Sequence, residues 1–449
     1  MPDTRGLGTF VNDEHELATS AIDFFSIPHA EVSIVHGKTI SYYPTAPISN
    51  DDGIFEFILA NESNEFTDMN SITIYGEVEV VKADGTAIAV ADKISCVNNF
   101  PQALFKQMEI YLGTMQQSVS DISTATYPFK AFLETHLTFN DDMKDTTLQA
   151  CEMWVKDTVG DETDIAASLA KPKSGIAKRS DIITGKRIYF DIVPHVDFLQ
   201  CQRYLIPGVE MKIKLVKSND NFVLLHSHAA DAYKVKFHKL QVQARKNILD
   251  PKVYAAMEKG LESTPAVYSL TQSKLKTHLL TAGTQQTYLS QVVRGKLPRS
   301  FLLAILDSEQ MENKPGVNPF YFNHRDLNGL NIFINGEPIH PVAIDPDFAK
   351  GRYLKEYRWF LNNTGLKNHQ TNGITMGEFG TNSCFFCYDL SPDLCNSYYK
   401  HGLETGIIDI HLAFSKALAK NHTLLFYASY DETVLIDKNR VITYISSGN

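Results

Sequence analysis

No run of the chain approaches the roughly 18 apolar residues that a membrane-crossing helix needs. The opening residues MPDTRGLGTFVNDEHEL lack the apolar core of a signal peptide, so a soluble protein made inside a cell is expected. Six cysteines in 449 residues are too sparse and irregular for a disulfide framework. Basic charge is also short: 42 Lys and Arg against 52 Asp and Glu leave a formal charge of -10. That balance argues against a broad surface for gripping phosphates and against sequence-specific nucleic-acid binding. Glycine-rich phosphate loops, a Gly-x-Ser-x-Gly elbow and a His-Glu-x-x-His helix are absent. No nucleophile, base and orienting acid can be assembled from the rest. No catalytic residue, cofactor or enzymatic activity is therefore assigned.

What the chain does have is aromatic and β-branched residues in alternation. Its 26 Phe and 20 Tyr suit pleated sheets, where such side chains pack across strands. The period-two pattern predicts strands near 31–44, 54–59, 71–82, 105–115, 187–193, 209–217, 221–226 and 232–246. In the last of these the apolar phase shifts at His238-Lys239, which predicts a bulge. Tyr127-Pro128-Phe129 opens a short helix with Phe129, Phe132, Leu133 and Leu137 on one face. Residues 140–186 read as a long surface excursion with a helix near Leu148 to Lys156. Asp250-Pro251 is an N-cap and first-turn proline opening a helix to about Glu262.

The order then repeats. Strands are expected near 274–282, 285–293 and 299–307. Leu330, Ile332 and Ile334 run into the hairpin turn Asn335-Gly336 as Met108, Ile110 and Leu112 run into Gly113. A helix opened by Asp345-Pro346 carries Tyr353, Tyr357, Phe360 and Leu361, and two final strands are placed near 422–430 and 433–445. Between helix and final strands, Asp191, Pro194 and Gly208 recur as Asp389, Pro392 and Gly406, each pair 198 residues apart. The two aspartates are read as turn formers rather than acids of an active site. Eight short antiparallel strands per half, with few helices, predict an all-β chain of two tandem jelly-roll β-sandwiches. The expected organisation is an arm at 1–20, a first sandwich at 21–248, a linker helix at 249–262 and a second sandwich at 263–449.

The segments IDFFSIP (22–28), MEIYLG (108–113), TYPFKAFLE (126–134), YLIPGVEMKIKLV (204–216) and YDLSPDL (388–394), with the duplicated cassette, together resemble the major capsid proteins of polintons (Mavericks) and adintoviruses. Those are double jelly-roll proteins of double-stranded DNA viruses and virus-like transposons, and the likeness runs from about residue 20 to 445. It implies a structural subunit of a virion capsid, assembled inside the host cell, forming pseudo-hexagonal homotrimers that tile an icosahedral shell beside penton and minor capsid proteins. Loops at 84–104, 140–186 and 308–328 and the arm would make the contacts. Leu112-Gly113 departs from the Asn-Gly of that family, whereas Asn335-Gly336 keeps it.

Three other features stand beside this reading. Cys384 and Cys387 have the spacing of a redox or zinc half-site, but residues three apart on a strand point to opposite faces. His226 and His228 would share a strand face and supply half of a metal site without a recognisable third ligand. Lys171, Lys173, Lys178, Arg179, Lys186 and Arg187 form a candidate basic contact patch facing DNA or an acidic neighbour, against a solvated loop as the plain alternative. The competing function is a tandem β-sandwich that binds or processes carbohydrate, for which the sequence offers no identifiable acid pair.

Overall fold

The computed structural model describes residues 32–49, 53–62, 64–113, 126–158, 165–228, 230, 232–339, 344–364, 371–391 and 405–445. The arm, the 22–28 anchor, Pro392 and Cys395 lie outside them. The first half carries β1 (Ile34–Tyr42), β2 (Ile54–Leu59), β3 (Glu65–Lys82), β4 (Ser95–Cys96), β5 (Phe105–Leu112), β6 (Arg187–Ile192), β7 (Met211–Lys217), β8 (Leu224–Leu225) and β9 (Tyr233–Leu249). Its sheets run β1-β9-β3-β6 and β2-β7-β5, with β4-β8 as a small ribbon. The second half carries β10 (Ala266–Leu280), β11 (Gln286–Lys296), β12 (Ser300–Asp307), β13 (Leu327–Ile334), β14 (Glu337–Pro338), β15 (Phe386–Asp389), β16 (Thr405–Phe414), β17 (His422–Ile436) and β18 (Ile442–Ile445). There the orders are β10-β17-β12-β15, with β18 also on β17, and β11-β16-β13-β14.

The two orders are one topology used twice. Each strand of the first sheet has a counterpart in the third (β1 and β10, β9 and β17, β3 and β12, β6 and β15), and β2, β7 and β5 correspond to β11, β16 and β13. Residues 114–125, which follow β5 as β14 follows β13, lie outside the described residues. The cause is visible in the alternation: Ile72, Ile74, Val78 and Val80 are buried while Thr73, Tyr75, Glu77 and Glu79 are half-exposed. Inside the sandwiches Phe237 packs on Phe55 and Phe105, with ring centroids 5.0 and 6.0 Å apart. Phe301 likewise stacks on Tyr388 and Phe426 at 4.9 and 5.2 Å.

The predicted bulge is present: Glu77 pairs with Lys239 and Val78 with Phe237, leaving His238 over. Asn335 and Gly336 both take positive φ, 53° and 86°, as a two-residue hairpin turn between β13 and β14 requires. Other expectations need correction. Residues 221–226 form no full strand, because Asn219 caps a helical turn at Asp220–Val223 before the two-residue β8. The strands placed at 422–430 and 433–445 are one long β17 plus β18, since β17 pairs β10 along its whole length. β3 and β10 begin six and eight residues earlier than expected, at Glu65 and Ala266 rather than 71 and 274. Asp345-Pro346 does not open the later helix. That helix is Leu354–Asn363, preceded by a 3-10 turn that Asp347 caps at Lys350.

Candidate functional site: the seam between the sandwiches

The chain crosses from one sandwich to the other through the helix Pro251–Leu261, whose N-cap Asp250 accepts from the Lys252 N–H. The two bodies then close on each other along a seam built mainly from segments between β5 and β7 of the first. The helix Tyr127–Thr138 has Pro128 in its first turn and buries Phe129, Phe132 and Leu133. Phe132 lies flat on Phe320, 4.4 Å between centroids at 7°, and Phe129 meets the same ring edge-on at 5.7 Å. Phe320 belongs to the second half, so the helix's apolar face, read correctly from its spacing, faces across the seam. Such paired rings contribute about 0.5–1.5 kcal/mol each beyond the area they bury.

Beside this apolar contact lies a ring of charge. Glu134 accepts from His195 Nδ1 at 2.8 Å and from the Tyr427 hydroxyl at 2.7 Å. Lys130 reaches Asp197 at 2.7 Å and Glu134 at 3.7 Å, and Asp197 accepts from the Ser273 N–H at 3.0 Å. Tyr427 and Ser273 come from the second sandwich, on β17 and β10. Burial alone would raise the Glu134 carboxyl, but Lys130, His195 and the Tyr427 hydroxyl outweigh it and hold its pKa below the ordinary value. For His195, burial pulls down and the hydrogen bond and charge of Glu134 pull up harder, so its pKa is raised. Asp197 is raised, first by burial, with Lys130 only partly opposing. Two carboxylates thus face one ammonium and one imidazole, and the buried Glu152 carboxyl, its pKa raised by burial, also acts on His195.

Glu134, His195 and Thr135 also form a chain of the kind that activates a hydroxyl, since His195 Nε2 lies 3.0 Å from Thr135 Oγ1. Thr135, however, has no exposed surface and its hydroxyl oxygen also accepts from Asn99 Nδ2. A substrate cannot reach it, and the arrangement does the work of a strut. A cleft of about 370 Å³ does open nearby, lined on one side by Leu133, Glu134 and Leu137 and on the other by Ser300, Leu302, Cys387, Tyr427 and Ser429.

The segment 140–186 departs from the expected surface excursion. Among its described residues, Met153, Trp154, Ile165, Ile176 and Ile183 are core, and it carries helices at Ile165–Leu169 and Gly175–Ile183. The helix expected near 148–156 runs instead from Asp141 through a wider turn to Glu152 and stops at Met153, whose φ is 51°. Lys144 and Lys156 donate across the seam to the carbonyls of Asn372 and Gly373, at 2.5 and 2.6 Å. Gly373 needs to be glycine: its φ is +70° and a Cβ there would collide with the Asp141 carboxylate. Burial depresses the Lys144 ammonium to about 8.

The candidate basic patch is split by this packing. Arg179 is fully buried, donating to the carbonyls of Cys96 (2.8 Å) and Val155 and pairing with Asp157 at 2.6 Å; it cannot contact a partner. Asp157 in turn accepts from Asn318 across the seam at 3.0 Å. Lys171, Lys173, Lys178 and Lys186 are exposed, and Arg187 is exposed but paired with Glu77 at 2.6 Å. The repeated aspartates sit on matching strands: Asp191 on β6 opposite Tyr75, Asp389 on β15 opposite Ser300. Asp389 accepts from the N–H and hydroxyl of Ser391 at 2.9 and 2.6 Å, as a turn former does, whereas Asp191 is simply exposed. Gly208 has a φ of 77°, while Gly406 lies in β16 opposite Gly295.

Cys384 and Cys387 are free and buried, and burial pushes both thiols well above their ordinary range. His226 and His228 do not share a strand. Their rings are 6.1 Å apart across the end of β8, His226 buried and His228 exposed with Nε2 2.9 Å from the Asp92 carbonyl. Among the described residues no group of three or more His, Cys, Asp or Glu is placed to hold a metal ion. Sequence reasoning missed the charged ring. Only Lys130 and Glu134, four apart on one helix, carried a local signal; their partners come from loops and strands distant in sequence.

No protein-family model matches the chain. An uncharacterized protein of Caenorhabditis elegans is 20% identical over 403 residues, 86% of this chain and 92% of that one. Among solved structures, the capsid of PBCV-1 virus matches with a TM-score of 0.57 at 11% identity, over 94% of this chain and 99% of that one. A chain of the Sputnik virophage matches at 0.58 and 11%, covering 96% and 92%, and the Faustovirus major capsid protein at 0.56 and 9%, covering 95% and 94%. The chain has the double jelly-roll fold. The shared length is long enough to include both sandwiches, and no helix among the described residues is long and apolar enough to cross a membrane.

Proposed function

We propose that this double jelly-roll chain is a major capsid protein, a shell subunit whose work is assembly rather than catalysis. The observation that carries the reading is the match to viral capsid proteins over more than nine-tenths of both lengths, with both sandwiches included. Its subunit forms a homotrimer with six similar sandwiches in a pseudo-hexagonal ring, and the trimers tile an icosahedral shell around double-stranded DNA. Penton and minor capsid proteins complete the shell, and the polinton and adintovirus group is the kind of element that encodes it. The seam fits this role. Its stacked rings, ring of charged groups and backbone-to-lysine bonds make two sandwiches one stiff piece, and obligate contacts between such pieces commonly bury about 2,000 Å² or more.

Within that reading the arm at 1–20 and the exposed residues of the segments 84–104, 140–186 and 308–328, whose buried residues belong to the core and the seam, make lattice contacts, the sandwiches being 21–248 and 263–449 about the linker. Lys171, Lys173, Lys178 and Lys186 remain the exposed members of a basic surface for an acidic neighbour or packaged DNA. Size-exclusion chromatography with light scattering, followed by negative-stain microscopy, tests the proposal. Trimers or shells are expected; a stable monomer at micromolar concentration that forms no particles at any salt concentration overturns it.

A further inference from the structure

Two residues past Glu134, and so on the other side of the helix Tyr127–Thr138, the seam buries a second histidine. His136 is 3% exposed. Its ring lies against Phe132 and Trp154 at 5.4 and 5.5 Å and edge-on to Phe385 of the second sandwich at 6.1 Å. Its Nε2 is 3.2 Å from the hydroxyl of Ser383, also of the second sandwich. That hydroxyl donates to Asn382 Oδ1 at 3.2 Å, so it accepts from His136, and the neutral imidazole carries its proton on Nε2. Nδ1 is buried and meets no hydrogen-bond partner among the described residues. A second proton on the ring would therefore bring in a charge with nothing to receive it.

The groups facing His136 oppose that charge further. Lys144 Nζ donates to the His136 carbonyl at 2.7 Å and lies over the Trp154 ring at 5.6 Å. Lys156, bonded to the Gly373 carbonyl, is a second cation acting on the ring. The carboxylates of this corner are taken up by the lysines: Glu378 pairs with Lys156 at 2.8 Å, and Asp141, Asp145 and Glu378 act on Lys144. Burial first, and then the two lysines, hold the His136 pKa well below its ordinary 6.5. The bonds that cross the seam here run from His136, Lys144 and Lys156 to Ser383, Asn372 and Gly373. A charge on His136 thus strains the contact it belongs to and pushes on the two beside it.

We infer that His136 is an acid switch on the seam: when it takes a second proton, the segment 371–385 of the second sandwich parts from 136–156 of the first, while the ring of Lys130, Glu134, His195 and Asp197 holds as a hinge. In the parted state His136 meets water and titrates near its ordinary value, so protons favour parting. The closed seam accordingly has its full stability above 6.5. It loses that stability as pH falls toward the lowered value, the ratio of closed to parted dropping by up to about tenfold per pH unit. The other side of the helix does not follow. Glu134, held below its ordinary 4.5, stays ionised between 4.5 and 6.5, and His195, held above 6.5, stays protonated, so the sandwiches remain joined there and at the helix Pro251–Leu261. The switch belongs to the single chain; on the shell-subunit reading, which it does not require, it makes a shell that is stiff at neutral pH and yields in acid.

Hydrogen–deuterium exchange of the full chain at pH 7, 6 and 5, corrected for the intrinsic pH dependence of exchange, tests the switch. In the wild type, peptides from 371–385 and 141–156 are expected to lose protection by about tenfold or more between pH 7 and 5 and to regain it on return to pH 7, while peptides of β16 and β17 keep theirs. His136→Gln keeps a donor for Ser383, and His136→Phe keeps a ring against Phe132 and Trp154; neither side chain titrates. Both variants are expected to hold these peptides closed at pH 5. Wild-type exchange that rises equally everywhere, or an acid step that persists undiminished in a folded variant, overturns the switch. Should neither variant fold, the wild type decides alone, by whether the loss is confined to these peptides. Light scattering on the same samples separates the two readings. A monomer that forms no particles but shows the step keeps the switch and loses the shell, and trimers or shells without the step do the reverse.

Discussion

Lys130 and His195 each balance a carboxylate in a place with little access to water, which makes the seam sensitive to pH from both sides. His195 titrates above its ordinary 6.5 in the folded chain, so its contribution is complete below that value and fades as pH rises through the raised pKa. Glu134 titrates below its ordinary 4.5, so its contribution is complete above that value and fades as pH falls through the lowered one. Asp197, raised in the fold, works against stability as pH rises past its ordinary 3.8. The His195 loss is to be sought below the range where Lys144, lowered to about 8, begins to add stability as pH rises. Melting temperature followed from pH 6.5 to 8 should fall as His195 loses its proton, and His195→Gln should remove that fall; an unchanged profile in the variant would refute the assignment. Arg179 gives a second prediction. Removing it leaves Asp157 without its cation, though still bonded to Asn318, and takes a buried donor from the Cys96 and Val155 carbonyls, so Arg179→Ala should cost about 3–5 kcal/mol in denaturant unfolding, and a loss below about 1 kcal/mol would contradict its place. In the sequence Arg179 is one cation among six. What buries it is the chain folding back from Trp154 and Ile176, which no local pattern records.

At the level of elements, period and punctuation carried most of the information. The β9 bulge was legible because an extra residue shifts the apolar phase for every position after it. The helix Pro251–Leu261 was legible because Asp250 and Pro251 supply a side-chain acceptor and a fixed φ where a helix starts. Asp250→Ala should lower stability by about 1 kcal/mol, measured by urea unfolding, and Asp250→Ser should restore most of it; equal losses in both would show that the cap bond is not what matters. Punctuation misled at Asp345-Pro346, where the same dipeptide precedes a 3-10 turn and the helix waits until Leu354. Residues 221–226 misled for a different reason. The apolar run FVLL suits a buried strand, but the Asn219 cap favours a helical turn over the first half of it, and short apolar runs do not decide between the two. The 140–186 segment was the largest misreading, because its helices Ile165–Leu169 and Gly175–Ile183 are too short for an apolar helical period to stand out.

For the whole molecule, the decisive quantity is how strongly one sandwich depends on the other. The duplication was legible because a repeated topology repeats its strand positions, as Asp191 on β6 and Asp389 on β15 do. The seam was not, because its parts are single residues that become neighbours only after both halves fold: Phe132 with Phe320, Glu134 with Tyr427, Lys144 with the carbonyl of Asn372. A hydrophobic core that runs unbroken from one sandwich through the helix Tyr127–Thr138 into the other should make the two halves unfold together. Calorimetry of the wild type is then expected to show one transition whose calorimetric and van't Hoff enthalpies agree. Phe132→Ala removes the ring stacked on Phe320, at a cost of about 3–5 kcal/mol, and weakens the apolar contact of the seam, where Phe129 still meets Phe320 edge-on, while leaving both sheets whole. The variant should unfold in two steps, one for each sandwich. Should it melt in one step at a lower temperature, the coupling would lie in the ring of Lys130, Glu134, His195 and Asp197 instead, and Glu134→Gln combined with Phe132→Ala would be needed to separate the halves. Two steps in the wild type would show that the sandwiches are independent, and a shell built from them would owe its stiffness to contacts between copies.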